Sequence, residues 1–454
     1  MRNIICSEDT GKVDFFSSSV SIFSRICSLI QYAIMLLKQF QACLEGIAMR
    51  EISNNKWIIM FFAVILFIVF SISSKIYANI QADFRGKIVS NNTVKLDKSR
   101  NAGINRGVIV SRGINNSFMH KKEKRWLHGK PAIVNILIGN PRENGAIIKP
   151  SYGSYFLNNI KRVRDIAHLE DALAGVNASY FKPGLNVPLG TSIIDGKIVT
   201  GPLFRRVTFG ITKDKQFKMG RIDIEGDINI ANNIKLSVFN LNQPVFSSTR
   251  FNIFTDKWGK KTPRTSHFYS HIVVKDDKVL YIKNSQVPIP RGGYVVVGPH
   301  IQELKGIKIG DKVNYNVKLK PDDWNNVEYA VGGGPYLVKE GHVYIDRQQF
   351  SRSFLWRKAP RTAIGYTKSG NLILVTVDGR HKDFSEGATM SELAQIMNEL
   401  GAYNAMNLDG GTSTQMVING KVVDYPLVKG GGRVTNALLI IQPPIIPTVT
   451  AELK

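Results

Sequence analysis

The segments NLILVTVDGR (371–380), ATMSELAQIMNELG (388–401) and YNAMNLDGGTST (403–414) decide how the fold is read. Asn371 to Val377 is a near-continuous apolar run, the pattern of a strand covered on both sheet faces. Thr389-x-x-Glu392 is a capping box that opens a helix. Met390, Leu393, Ala394, Met397 and Leu400 give that helix its buried stripe, and Gly401 supplies a left-handed stop. Tyr403 to Leu408 reads as a second strand. Strand, helix, strand of this length predicts a βαβ unit with parallel strands. Asp378 and Asp409 each close a strand at its carboxyl end. If the strands are neighbours, about 4.8 Å apart, both carboxylates emerge on one rim of the sheet.

Outward from this unit the pattern is short β-branched runs punctuated by Gly, Asn-Gly and Asp-Gly. AIVNILIG (132–139), TSIIDGKIVTG (191–201), HIVVKDDKVLYI (271–282) and GGYVVVG (292–298) read as strands and hairpins. Gln415 to Ile418 and Lys421 to Asp424 form another hairpin across Asn419-Gly420. A second helical pattern covers Val163 to Ala174. The expected class is α+β, a strand-rich mixed sheet with a carboxyl-terminal βαβ unit and flanking helices.

The chain has 454 residues, 43% apolar and 21% charged. That excludes a mainly disordered, collagenous or disulfide-scaffold protein. Its net charge of +25 points to anionic company. The apolar run in residues 57–73 reads as a membrane anchor or as the hydrophobic region of a cleaved signal. Cys6, Cys27 and Cys43 all precede it and none follows, which suits a reducing cytoplasm for residues 1–56 and an exported body. Met49 offers an alternative start. Residues 79–125 read as a basic linker, and 126–445 as the folded domain outside the cytoplasm.

Several residues are candidates for chemistry. After Asp409, Gly410 and Gly411 let backbone N–H groups approach an anion, and Asn407, Ser413 and Thr414 make the loop polar. Gly332-Gly333-Gly334 suggests close contact of the backbone with a ligand or another strand. Arg361 and Arg380 are natural forks for a phosphate. Asn177 suits a sugar hydroxyl, with Tyr180 or Phe181 as a stacking wall. Glu392 is explained by its capping box, and His168 and His381 lack metal-ligand spacing.

Together GGGPYLV (332–338), PRTAIGY (360–366), TVDGR (376–380), residues 385–423 and RVTNALL (433–439) resemble the phosphodiester glycosidase domain family. NASYF (177–181) and PLGTSIIDGKIV (188–199) resemble its earlier motif. The resemblance spans roughly Ile133 to Ile441 and is thin from about Phe209 to Asn326. It departs at Thr412, whose β-branch restricts the glycine-rich loop, and at Ala178. It implies hydrolysis of a sugar-1-phosphodiester in an envelope or extracellular glycan. Asp378 and Asp409 are then the catalytic pair. Arg361 and Arg380 with the Gly410 and Gly411 backbone bind phosphate, and Asn177, Asn407, Ser413 and Asn436 bind hydroxyls or phosphate. No cofactor is required by the motifs, although the aspartates are also compatible with a divalent metal. The competing reading is a non-catalytic, membrane-tethered binder of anionic exopolysaccharide. No basic helix or stacking platform points to nucleic acid.

Overall fold

The computed structural model describes residues 106–442, apart from 116, 144 and 232. It is 48% strand and 11% helix, a mostly-β protein rather than the α+β class expected. The largest sheet has eight strands, in the order Arg106–Gly113, Phe118–Leu127, Lys130–Gly139, Leu372–Val377, Arg361–Thr367, Ala402–Asn407, Tyr336–Lys339 and His342–Val343. Every pairing in it is antiparallel.

The expected βαβ unit is therefore corrected in one respect. Leu372–Val377, the helix Met390–Glu399 and Ala402–Asn407 follow one another as read, and the two strands run the same way. They are not neighbours. Arg361–Thr367 lies between them and pairs antiparallel with both. It makes a tight hairpin with Leu372–Val377, closed where the Thr367 N–H donates to the Asn371 carbonyl at 2.9 Å. The crossover helix then has to deliver the next strand to the far side of that hairpin.

The Leu372–Val377 strand is apolar throughout because both its faces are covered. On one face Leu137, Ile364, Leu374 and Met406 share a core with Val176, Met416 and Leu438 of a five-stranded sheet. On the other, Val134, Ile136, Val375 and Ala405 pack under Met390, Leu393, Ala394 and Met397 of the helix. The capping box is complete, and Glu392 is further tied to Lys358 at 2.8 Å and His128 at 2.7 Å. The Asn419-Gly420 turn has φ values of 47° and 71°, the left-handed pair that a tight two-residue hairpin needs.

Two stretches differ from the sequence reading. Residues 106–125, expected in the basic linker, form the outer strand of the large sheet and most of the next. Residues 223–320, where the resemblance is thin, build a seven-stranded sheet with cores of their own. Its two ends meet, Asp223 pairing with Lys320. Among the described residues no helix is long and apolar enough to cross a membrane. The run at 57–73, the segment 1–56, the cysteines and residues 79–105 lie outside the described residues.

Candidate active site

Asp409 follows the Ala402–Asn407 strand in a loop fixed by two buried asparagines. Asn177 donates from Nδ2 to the Asp409 carbonyl at 2.6 Å. Its Oδ1 accepts from the Thr362 hydroxyl at 2.7 Å and the Gln415 N–H at 3.1 Å. Asn407 donates to the Tyr180 hydroxyl at 2.5 Å and the Gly334 carbonyl at 3.2 Å. Tyr180 in turn donates to the Gly334 carbonyl at 2.7 Å. Asn436 clamps Ser179, accepting its N–H at 2.9 Å and donating to its hydroxyl at 3.1 Å. These asparagines spend their groups on the frame, apart from the unpartnered Asn407 Oδ1.

The Asp409 carboxyl is half-buried, and burial raises its pKa to about 6 against the Ser413 hydroxyl and the Gly410 N–H, which favour the anion. Its charge and burial together push the Tyr180 phenol well up, burial being the larger cause. Two arginines, Arg206 and Arg361, act on the Tyr180 phenol, and a third, Arg380, acts on Arg361. Arg361 is 3% exposed. It donates to the carbonyls of Ala388 at 2.9 Å, Phe354 at 2.9 Å and Arg357 at 2.7 Å. Burial, and secondarily Arg380, bring its pKa down to about 10, so it stays charged at neutral pH. Arg380 is exposed, and its Nη2 lies about a van der Waals contact from where a Cβ on Gly411 would sit, 3.4 Å. Arg206 lies over the rings of Phe350 at 4.1 Å and Tyr180 at 5.3 Å, and its buried Nε has no partner. No carboxylate among the described residues pairs with Arg206 or Arg380. An orphaned donor on a desolvated cation is costly unless something fills the place.

Nothing in the sequence marks Arg206. It sits in PLFRR (202–206), which carries no motif. Its aromatic bed comes from positions 180 and 350, so only the fold reveals it.

Asp378 closes a different strand from Asp409, with Arg361–Thr367 between the two. Ala363 pairs with Val375 on one side and Asn407 on the other. Both aspartates lie just past the ends of their strands, and the glycines that follow them, Gly379 and Gly410, both abut Pro360. Asp378 Oδ1 accepts the Tyr425 N–H at 3.0 Å, while Oδ2 is buried without a partner. Burial raises its pKa to about 6, against Tyr425, Lys122 and His381. Its acidic neighbour is Asp424, which burial and then Asp378 push well above the usual range. The strands that carry Asp378 and Asp409 are thus not the neighbours expected, because Arg361–Thr367 lies between them.

The glycine-rich loop also differs from expectation. The Gly410 N–H donates to the carboxylate of Asp409 at 2.9 Å and the Gly411 N–H to the Pro360 carbonyl at 2.9 Å. Both amides proposed for an anion are already engaged. A Cβ at Gly410 would come within 2.8 Å of the Pro360 carbonyl oxygen, and one at Gly333 within 2.5 Å of that of Asn407. Glycine is required there by backbone against backbone. Among the described residues no group of three or more His, Cys, Asp or Glu side chains could hold a metal.

The resemblance drawn from the motifs is borne out by comparison with known proteins. Residues 269–441 match the phosphodiester glycosidase family. The N-acetylglucosamine-1-phosphodiester alpha-N-acetylglucosaminidase of Mus musculus is 31% identical over 157 residues, 32% of this chain and 27% of the mouse protein. The protein of the same name from Homo sapiens is 30% identical over 157 residues, again 32% of this chain and 27% of the human one. The chain thus spans about a quarter of the length of these relatives. A crystal structure of a hypothetical protein from Synechocystis superposes with a TM-score of 0.67 at 26% identity, covering 74% of this chain and 63% of that one.

Proposed function

We propose, on the match of residues 269–441 to the phosphodiester glycosidases, that this chain hydrolyses the bond between a sugar anomeric carbon and a phosphodiester oxygen. Water adds to the sugar, and the remainder leaves as a phosphomonoester. The observation that carries the reading is one part-buried carboxylate, Asp409, whose charge reaches the Tyr180 phenol, which the charges of Arg206 and Arg361 reach as well, with Arg380 against the neighbouring Gly411. A phosphodiester departs as a stabilised anion, so it needs little help from a general acid. The site has to supply positive charge to the phosphate and negative charge to an oxocarbenium-like carbon. One acid and several arginines suit that division better than the two acids of an ordinary glycosidase.

Asp409 takes the second task, as nucleophile or as base to water. Arg380 and Arg206 take the phosphate, with Arg361 adding fixed charge from behind. Ser413 tunes Asp409. Asn177, Asn407 and Asn436 hold the loops rather than the ligand, and Asp378 with Asp424 positions the segment around Tyr425. The apolar run at 57–73 supports a membrane-anchored or exported protein, acting on an envelope or extracellular glycan. The test is to offer the purified chain a panel of sugar-1-phosphodiesters and assay free sugar. Release that vanishes in Asp409→Asn supports the reading. A folded wild-type chain that releases sugar from no member would refute it and favour a binder of anionic glycan.

A further inference from the structure

We propose that the chain carries a second, non-catalytic site that holds a stretch of anionic glycan beside Asp409. It is a groove of about 860 Å³ between the hairpin Tyr180–Lys182/Val187–Leu189 and the 258–264 loop of the seven-stranded lobe. Lys182, Lys260, Lys261 and Arg264 line it, and its lining includes no acidic residue. All four are exposed, and no carboxylate among the described residues pairs with any of them. Four unneutralised cations around one concavity repel one another, so the arrangement favours an anion in their midst.

The rest of the lining fits a sugar. Phe246 and Trp258 give apolar walls, and such faces suit the C–H side of a pyranose. Thr262 and Gln286 form the floor, bonded to each other where Gln286 Nε2 donates to the Thr262 carbonyl at 2.5 Å. His271 braces that floor from below, bonded to the Thr262 hydroxyl at 3.1 Å and the Thr265 hydroxyl at 2.8 Å. The groove connects to the reacting site through one strand. Tyr180 and Lys182 are two residues apart, about 6–7 Å, and share a side of the strand. A chain whose terminal sugar phosphodiester meets Asp409 would have its next charged units at these cations. This inference rests on the glycosidase reading for its orientation but not for its binding.

The test measures binding and turnover separately on the full chain. The probes are polygalacturonate, neutral dextran and single-stranded poly(dT), compared by affinity electrophoresis. The groove variant is Lys182→Ala/Lys260→Ala/Lys261→Ala/Arg264→Ala. A control of equal charge is Lys213→Ala/Lys305→Ala/Lys308→Ala/Lys312→Ala, all exposed and outside the groove. We expect the wild type to bind polygalacturonate at least tenfold more tightly than dextran or poly(dT). The groove variant loses at least tenfold of that affinity and the control less than threefold, while both cleave a small sugar-1-phosphodiester within twofold of wild type. Equal losses in the two variants, equal binding of dextran, or tighter binding of poly(dT) would overturn the proposal. Absence of any turnover would count against the reaction assigned to Asp409 and leave the binding result to decide the groove.

Discussion

Replacing Asp409 by asparagine should make the protein more stable and nearly inactive, with a stability gain that depends on pH. Burial raises the Asp409 carboxyl from 3.8 to about 6. At about 1.4 kcal/mol per pKa unit, holding it ionised at pH 7.5 costs the folded state about 3 kcal/mol. The sign follows from proton uptake. Between 3.8 and about 6 the folded state keeps a proton that the unfolded chain has released, so the wild type loses stability as pH rises through this window. At pH 4.5 the same cost is only about 1 kcal/mol. An asparagine Oδ1 still accepts the Gly410 N–H, whose preference for the anion is already contained in the raised pKa. The net gain at pH 7.5 is then about 3 kcal/mol, or a Tm higher by roughly 6 °C for a domain of this size, and about 1 kcal/mol at pH 4.5. Sugar release should fall by about 10³-fold. Calorimetry at the two pH values and a discontinuous sugar assay measure both effects. A Tm difference that is the same at pH 4.5 and 7.5 would refute the burial argument. Retained turnover would refute the catalytic role.

Asn177→Ala strips partners from the Asp409 carbonyl, the Thr362 hydroxyl and the Gln415 N–H. It should destabilise by about 3–5 kcal/mol, seen as a large drop in denaturant midpoint; a loss below about 1 kcal/mol would show that the frame does not depend on it. Arg206→Met keeps the apolar stem over Phe350 and Tyr180 but removes the cation. KM for a sugar-1-phosphodiester should rise at least tenfold with the fold intact, and an unchanged KM would remove Arg206 from the phosphate site. His271 is buried with its pKa lowered to about 4 by that burial. The unfolded chain therefore takes up a proton first as pH falls below 6.5, and stability drains away towards pH 4. His271→Gln should lessen the stability lost between pH 7 and 4.5 by about 2–3 kcal/mol, and an unaltered pH slope would contradict this.

Much of the local structure was legible because each element announces itself within a few residues. The capping box, the Asn419-Gly420 turn and the doubly covered strand are properties of short segments, and Asp409 stood out through its polar, glycine-rich surroundings. Adjacency was not legible. The βαβ rule gives the direction of two strands, and nothing in it forbids a third, Arg361–Thr367, from standing between them. The excess of hairpins over helices, which makes the fold mostly β, also escaped, because weak strands such as Phe118–Leu127 carry lysines and glutamate on a sheet flank and resemble a tether. The bracing bonds of Asn177 and Asn436 are hidden for a related reason. An amide that braces a loop and one that greets a ligand look identical in a sequence, and only the count of satisfied bonds separates them.

The lobe that begins at Asp223 and returns at Lys320 enters and leaves at paired residues. Its removal would leave two chain ends side by side, ready to be joined by a short turn. The lobe is seated on the rest of the chain, where Asn242 donates to the Val199 carbonyl at 2.8 Å and Gln243 to the Gly190 and Gly201 carbonyls at 3.0 Å. It supplies Phe246, Trp258 and the 260–264 cations, while Asp409 and its arginines belong to the remainder. A replacement lobe would have to keep those seats, and would be free to change only the wall it turns towards Lys182.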